Sequence, residues 1–396
     1  MNFQRLFWGT LGIILFILFG VGIYLGQKFI GIGPVPVRSA FAGRLPGTPE
    51  GNSRRFQFYY ATNRSDHEDT FNGQGNEIGQ AILTGTFDVL IAPTMKILPF
   101  IWFDETTMKW AARQEIHAEQ FNSRLRASVQ NSPKKSLLVM VWGFRDWFQS
   151  AALKTAYTAY ALDINTPVLL FDWPGNQGEG ARGYRASQEI ANQSGPDLGR
   201  VLAKVINETG AENVWLMGSS LGCQTICEGL KWLSTQPDLL KNKPKLSHVV
   251  LSAPDVSAQA FDEKFGEVIN SLSQHLTAYV SSNDRALLMS HWLNRGRRLG
   301  RTAEITLPPE DRTGQYEFEE ALELLELQAK GAKDLAVVDA TPINLLRNLH
   351  HFFTDSPEFF DDLYQRLQRP DEILNRRLHS VRTGPQGTAY WILWND

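Results

Sequence analysis

The sequence is poor in cysteine and has no excess of charge of either sign. Its two cysteines, Cys223 and Cys227, lie four residues apart on a predicted helix, where they face one side and do not readily reach disulfide geometry. We interpret them as packed free thiols. Neither a second cysteine pair nor a His-Glu-x-x-His pattern is present, so the sequence implies no metal and no cofactor. Lysine and arginine (39) nearly balance aspartate and glutamate (42), which argues against nucleic acid as a partner.

Only one long apolar run is present, and it lies near the N-terminus. Residues 7–26 carry no charge, and the run is bounded by Arg5 and Lys28. It is long enough to span a bilayer as a helix. We predict an uncleaved anchor over residues 1–30 rather than a cleaved signal peptide, because the small-residue segment 40–42 lies too far beyond the run. Basic residues flank the run on both sides, so they do not decide its orientation.

The region after the apolar run is rich in glycine and proline, which is typical of a tether. We predict that residues 31–54 link the membrane anchor to a single body formed by residues 55–396. A chain of 396 residues with 43% hydrophobic composition is able to bury a large core.

Short apolar runs alternate with helical patterns along the body. Residues 55–60 alternate like a half-buried strand, and residues 81–91 are a second β-rich stretch. Continuous apolar runs follow at residues 137–141, 168–171, 214–217, 249–251, 276–280 and 335–338. Between them, Leu198, Val201, Leu202 and Val205 recur on one helical face. We therefore predict an α/β fold with a mainly parallel, doubly wound sheet, helices on both faces and ligands bound at the carboxyl ends of its strands.

Residues 218–222 read Gly-Ser-Ser-Leu-Gly and lie between a predicted strand and a helical pattern over residues 223–233. A strand, a sharp turn and a helix in this order are the context of a nucleophile elbow. Ser220 would stand at the apex of the turn, and Gly218 and Gly222 remove side chains that would collide there. We predict Ser220 as a nucleophile, with a purely structural turn as the alternative.

A serine hydroxyl needs a base, and the base needs an acid to orient it. In proteins with a nucleophile elbow of this kind, the acid and then the histidine follow the nucleophile in the chain. Asp284 follows the predicted strand 276–280 through a short loop and is our candidate. Asp255, which follows the predicted strand 249–251, is the alternative and would otherwise hold its own loop.

The histidine is expected after the last of these predicted strands. His350 and His351 both follow residues 335–338, and adjacent imidazoles cannot both point at Ser220. We choose His350 as the general base and keep His351 as the alternative. His248 and His275 lie at the starts of strands, so they are expected to be structural.

Acyl transfer also needs donors for the developing oxyanion. The main-chain N–H of Leu221 is one candidate, and Phe144 N–H is the other because Gly143 permits a close approach after the strand 137–141. We predict an apolar substrate pocket from nearby aromatic residues, with core packing as the alternative. These residues are Trp142, Phe144, Trp147 and Trp173.

Two charged regions are expected at the surface. Arg295, Arg297, Arg298 and Arg301 form a basic cluster, for which lipid headgroups or an anionic substrate are the alternative to solvent. Residues 316–330 form an amphipathic pattern with an acidic face, for which a lid over the site is the alternative.

Several segments share their pattern with one family of proteins. They are residues 58–64 (FYYATNR), 142–145 (WGFR), 171–174 (FDWP), 218–222 (GSSLG), 279–287 (YVSSNDRAL) and 350–357 (HHFFTDSP). Together they resemble the α/β-hydrolase superfamily, and more narrowly a bacterial esterase/lipase-like branch whose molecular function is largely unassigned. The resemblance covers residues 56–363 and implies that Ser220, Asp284 and His350 form a catalytic triad.

This chain departs from the family pattern at two places. Trp142 replaces the usual histidine before the oxyanion-loop glycine, and Gly218-Ser219 replaces the usual Ala-His before the nucleophile. Neither change removes a reacting group, although both alter its surroundings.

We predict a membrane-anchored serine hydrolase, carboxylesterase- or lipase-like, that cleaves a small-molecule or lipid ester or thioester. As a bacterial protein it would be anchored in the inner membrane with its body in the periplasm. The alternative is a catalytically silent α/β-hydrolase-fold protein that binds or scaffolds a partner at the membrane. In that case Ser220 would be occluded, or Asp284 and His350 would lie too far apart to interact.

Overall fold

The structure is a computed structural model that describes most of the predicted body. The described residues are 43–65, 77–92, 107–240, 246–301, 335–345, 347–370, 378–382 and 389–393. The predicted anchor, the first part of the tether and the acidic pattern at residues 316–330 lie outside these ranges. Within the ranges, no helix has both the length and the apolar character needed to cross a bilayer.

One sheet of twelve strands organises the described residues. The strands are β1 (Thr48–Glu50), β2 (Ser53–Arg64), β3 (Ile78–Ile91), β4 (Met108–Glu115), β5 (Ser136–Val141), β6 (Val168–Asp172), β7 (Asn213–Ser219), β8 (Leu246–Ser252), β9 (Ser273–Val280), β10 (Leu335–Asp339), β11 (Leu378–Arg382) and β12 (Ala389–Leu393). Their order is β11-β12-β10-β9-β8-β7-β5-β6-β2-β3-β4, and β1 pairs with β2. The neighbours from β12 to β2 are parallel, whereas β3, β4, β1 and β11 pair antiparallel.

Helices connect the strands. They are α1 (Ala118–Asn131), α2 (Phe148–Leu162), α3 (Gly180–Glu208), α4 (Gly222–Ser234), α5 (Ala258–Ala260), α6 (Gly266–Leu272), α7 (Arg285–Asn294), α8 (Arg347–His350), α9 (Phe352–Asp355) and α10 (Pro357–Gln368). A π-helical turn, Phe261–Phe265, joins α5 to α6, and short 3-10 turns occupy Pro237–Leu240 and Thr341–Ile343.

The central strands are buried on both faces, as their continuous apolar runs predict. In β5, Leu137 and Val139 belong to one hydrophobic cluster, whereas Leu138 and Met140 belong to the other. Successive side chains of a strand point to opposite faces, so each strand contributes to both layers of the core. The predicted mainly parallel α/β fold is confirmed.

The body begins earlier than the predicted boundary at residue 54. Leu45 is buried, and its main-chain N–H donates to Asp163 Oδ1 over 2.9 Å. The strand β1 then pairs with the start of β2. The glycine and proline content predicted a tether here, whereas Arg44, Leu45 and the pairing of β1 connect this segment to the body.

Candidate active site

Ser220 lies between the end of β7 and the start of α4. Its φ angle of 50° is in the left-handed region, which a residue with a side chain rarely adopts. Its N–H donates to the carbonyl oxygen of Ser252 over 2.9 Å, and its own carbonyl accepts from Asp255 N–H over 3.0 Å. These bonds hold the strained residue in place, as expected for the apex of a nucleophile elbow.

The loop after β5 packs directly against this turn, and glycine allows the contact. A Cβ atom on Gly143 would lie 2.8 Å from Ser220 Cβ, and one on Gly222 would lie 2.5 Å from the carbonyl oxygens of Val141 and Trp142. A Cβ on Gly218 would come equally close, 2.5 Å, to Ile226 Cδ1. Larger residues at these glycines would therefore push the elbow away from the neighbouring loop or helix.

Ser220, His350 and Asp284 form a continuous hydrogen-bonded chain. Ser220 Oγ lies 3.0 Å from His350 Nε2, and His350 Nδ1 lies 2.6 Å from Asp284 Oδ2. The other carboxylate oxygen of Asp284 accepts the N–H of Leu287 over 2.8 Å and so caps α7. The capping bond fixes the carboxylate, so that Asp284 in turn fixes the ring of His350.

The electrostatic surroundings of His350 favour its role as a proton acceptor. Burial disfavours the charged imidazole, but the charge of Asp284 and its hydrogen bond outweigh burial and raise the pKa of His350. A carboxylate only accepts hydrogen bonds, so the neutral ring carries its proton on Nδ1 and leaves Nε2 to accept the hydroxyl proton of Ser220.

The structure separates these residues from the alternatives that the sequence left open. The carboxylate of Asp255 accepts bonds from Arg298 Nε, Tyr184 Oη and Ser290 Oγ, each over 2.6 Å. It is Asp284 that contacts the imidazole of His350. The ring of His351 packs edge-on against that of His350, with centroids 5.4 Å apart, and it is His350 that meets Ser220.

The two predicted oxyanion donors flank the same glycine. Among the described residues, neither Leu221 N–H nor Phe144 N–H has a hydrogen-bond acceptor. Phe144 directly follows Gly143, and Leu221 N lies 3.2 Å from the position of a Cβ on Gly143. The N–H of Leu221 thus lies where the loop and the elbow approach each other, and that of Phe144 follows the same glycine in the chain.

Of the four residues of the predicted aromatic pocket, two lie in the core. Trp142 and Trp173 are each only 3% exposed and belong to the two clusters of the core. Their indole N–H groups donate to Thr155 Oγ1 and to the carbonyl oxygen of Trp142, over 2.8 and 2.7 Å. Trp147, which precedes α2, and Phe144 are half-buried. The two tryptophans turn inward because their N–H groups find acceptors there, so they support the loops without lining an open pocket.

Arg64 is a buried residue that the sequence did not single out. Its guanidinium donates to both carboxylate oxygens of Asp172 and to the carbonyl oxygens of Asp146 and Trp173. It therefore ties the end of β2 to the loops that follow β5 and β6. The sequence did contain a signal for this pair, because Arg64 and Asp172 each lie in one of the six segments that resemble the family.

The basic cluster also differs from its prediction. Arg298 is 6% exposed and pairs with Asp255, whereas Arg295 is exposed to solvent as predicted.

As for metals, no group of three or more potential metal-binding side chains is found within the described ranges.

This fold and the placement of its elbow define an α/β hydrolase. The family model of "Alpha/beta hydrolase of unknown function (DUF900)" matches residues 117–359, which include Ser220, Asp284 and His350. The chain belongs to this family, and the superfamily predicted from the sequence motifs is confirmed.

Solved structures with some likeness to this chain are remote. An uncharacterised protein from Capnocytophaga ochracea DSM 7271 is 8% identical over 71% of this chain and 59% of its own, with a TM-score of 0.28. A rice cell wall degrading esterase, LipA from Xanthomonas oryzae, is 14% identical over 85% of this chain and 96% of its own, with a TM-score of 0.31. Its ligand-bound form is 13% identical over the same shares, with a TM-score of 0.32. A search of curated proteins found no match.

Proposed function

We propose that this protein is a serine hydrolase that cleaves an ester or thioester bond, with Ser220 as nucleophile, His350 as general base and Asp284 as the orienting acid. The observation that carries the proposal is the bonded chain from Ser220 Oγ to His350 Nε2 at 3.0 Å and from His350 Nδ1 to Asp284 Oδ2 at 2.6 Å. These are the distances at which a positioned base takes a proton from a serine hydroxyl.

In the first half of the reaction, Ser220 Oγ attacks the carbonyl carbon of the substrate while its proton passes to His350 Nε2. The carbonyl oxygen becomes an oxyanion, which the N–H groups of Leu221 and Phe144 stabilise. Asp284 stabilises the positive charge that His350 acquires. When the tetrahedral intermediate collapses, the alcohol or thiol leaves with the proton from His350, and the acyl group stays on Ser220.

In the second half, water replaces the leaving group. His350 takes a proton from the water as its oxygen attacks the acyl carbon, and the same oxyanion donors stabilise the second tetrahedral intermediate. The proton returns to Ser220 Oγ when the carboxylic acid departs. The groups of the site are then back in their starting states.

The alternative of a silent binding protein predicts a disrupted triad. It calls for an occluded Ser220 or for a wide separation between Asp284 and His350, whereas Ser220 is half-buried and the separation is 2.6 Å. The geometry of the triad therefore supports the hydrolase over the silent binding protein.

A fluorophosphonate probe, which reacts covalently with activated serines, tests the proposal. We expect wild-type protein to be labelled and Ser220→Ala to be inert, while Ser219→Ala, a change at the neighbouring buried serine, remains reactive. Absence of labelling in folded wild-type protein would overturn the hydrolase proposal. Short- and long-chain acyl esters, assayed with wild type and Ser220→Ala, then define the substrate class.

We also propose that the apolar run at residues 7–26 anchors the protein in the bacterial inner membrane, with the body in the periplasm. The run is long enough to span a bilayer. The full chain should stay in the membrane pellet after an alkaline carbonate wash, and external protease should digest the body in spheroplasts. Release into the carbonate supernatant would exclude the anchor, and protection from protease would exclude the periplasmic side.

A further inference from the structure

A buried polar cluster lies behind the nucleophile elbow and takes no part in the proton transfers of the proposed reaction. We call it the Asp255 cluster, and it consists of Tyr184, Asp255, Ser290 and Arg298. All four side chains are at most 8% exposed. The carboxylate of Asp255 is the common acceptor for the other three, each over 2.6 Å.

The Asp255 cluster is joined to the nucleophile side of the oxyanion site through the main chain. Asp255 N–H donates to the carbonyl oxygen of Ser220 over 3.0 Å. That carbonyl belongs to the same peptide group as the N–H of Leu221, the first oxyanion donor. The same oxygen also accepts the N–H of Cys223 over 3.1 Å. Because a peptide group is planar, the bonds that fix its oxygen, that from Asp255 among them, also fix the direction of its N–H.

The cluster is joined to the other donor through a ring contact. The ring of Tyr184 meets that of Phe144 edge-on, with centroids 5.6 Å apart and an interplanar angle of 90°. The hydroxyl of Tyr184 donates to Asp255 Oδ2, so the ring cannot turn without breaking a buried bond. Burial raises the pKa of Tyr184, and the charge of Asp255 raises it further, which keeps this hydroxyl protonated and able to donate.

We infer that Tyr184 is a positioning residue, which acts through Asp255 and Phe144 to hold the two oxyanion donors at a fixed separation. The inference rests on the proposed hydrolase function and assigns a positioning role to the Asp255 cluster. Misplacement of catalytic groups by about 1 Å costs up to roughly 100-fold in rate. A loosened Tyr184 therefore lowers kcat, while the proton transfer between Ser220 and His350 is left intact.

Tyr184→Phe tests this inference because it retains the ring against Phe144 and removes only the hydroxyl. That hydroxyl bonds Asp255 and also contacts Ser290, Gln188 and Asn294. We expect kcat on a short acyl ester to fall between about 10- and 100-fold with little change in KM. The rate of fluorophosphonate labelling, which depends on the same oxyanion donors, should fall in parallel. The acid limb of the pH profile should not move, because His350 and Asp284 are unchanged.

Tyr157→Phe is the matched control. Tyr157 is also a buried tyrosine, 6% exposed, and its hydroxyl has no hydrogen-bond partner among the described residues. Tyr157 belongs to α2, and its ring packs against that of Phe360. Removal of its hydroxyl should leave kcat within about twofold of the wild-type value. Thermal melts establish that both variants are folded at the assay temperature.

The outcomes separate the inference from the proposed function. Reactive wild type with a slow Tyr184→Phe supports the inference. If wild type is reactive and the kcat of Tyr184→Phe lies within twofold of the wild-type value, the inference is overturned and the hydrolase proposal stands. The same holds if Tyr184→Phe changes KM alone, or if its lower activity comes with a shifted acid limb. Unreactive wild type overturns the proposed function itself.

Discussion

Arg298 Nε lies 2.6 Å from Asp255 Oδ1, and both side chains are almost fully buried. Removal of one partner from such a pair leaves the other charge buried without compensation, which costs about 3–5 kcal/mol. We therefore expect Asp255→Asn to lower the free energy of unfolding by about this amount, as measured by urea denaturation. A change below about 1 kcal/mol would contradict this account of the pair.

The pH dependence of kcat/KM should reveal the raised pKa of His350. The reaction needs a neutral imidazole, so the rate falls as the pH falls through this pKa, which lies above the ordinary value of 6.5. In Asp284→Asn the charge that stabilises the protonated imidazole is absent, so burial lowers the pKa of His350. We expect the acid limb to move to lower pH and kcat to fall by roughly 10⁴. The charge of Asp255 also raises the pKa of His350, but less than Asp284 does, so in Asp255→Asn the limb should move less than in Asp284→Asn. A larger movement in Asp255→Asn would make Asp255 the acid.

Gly143→Ala should damage the site although all three triad residues are retained. The new methyl would lie 2.8 Å from Ser220 Cβ and 3.1 Å from the carbonyl oxygen of Ser219, so the loop and the elbow must separate. Loss of a well-placed oxyanion donor lowers kcat by roughly 10²- to 10³-fold. Gly296→Ala is the control, because the nearest atom to its Cβ is 3.8 Å away. Equal activities of the two variants would show that the close approach is not needed.

Asp339, at the end of β10, should make stability depend on pH. Burial raises the pKa of Asp339 to about 6, although hydrogen bonds from Thr341 oppose the shift. The folded state therefore binds more protons than the unfolded state between the ordinary value near 4 and about 6. The contribution of Asp339 to stability falls as the pH rises through this window and stays low above it.

Asp339→Asn removes the ionisation but keeps an oxygen that accepts the N–H and hydroxyl of Thr341. We expect the free energy of unfolding of this variant not to decline between about pH 4 and 6. At pH 7 it should exceed the wild-type value by on the order of 1–3 kcal/mol. Chemical denaturation of both proteins across this pH range provides the test. A variant less stable than wild type at pH 7 would mean that the charged carboxylate is needed.

The central sheet was predictable because its strands are covered on both faces, so each is a continuous apolar run. Strands β5 to β10 lie at the predicted runs. Four strands at or near the margins of the sheet were missed, namely β1, β4, β11 and β12. In β4 most side chains are at least partly exposed, so its sequence carries little apolar signal. The pairing of β12 with β10 joins residues far apart in the chain, which local periodicity cannot show.

The positions of the site residues were predictable from strand order, whereas the direction of neighbouring side chains was not. Ser220, Asp284 and His350 follow the ends of parallel strands, and such ends meet at one edge of a sheet. Trp142 and Arg298 turn into the core because Thr155 and Asp255 accept their N–H groups there. These acceptors lie on other elements, so only the assembled fold determines the outcome.

The contact between Leu45 and Asp163 places the first described residues of the chain at the edge of the sheet opposite Ser220. Asp163 follows the end of α2 and precedes the start of β6, so Leu45 lies at the amino ends of the parallel strands. Ser220 follows the carboxyl end of β7, at the opposite edge. An anchor before Leu45 would therefore join the body at the amino ends of the parallel strands. Ser220 would then lie on the side away from the anchor. With such an anchor, esters that diffuse in from solution would reach Ser220 more directly than lipids of the same bilayer.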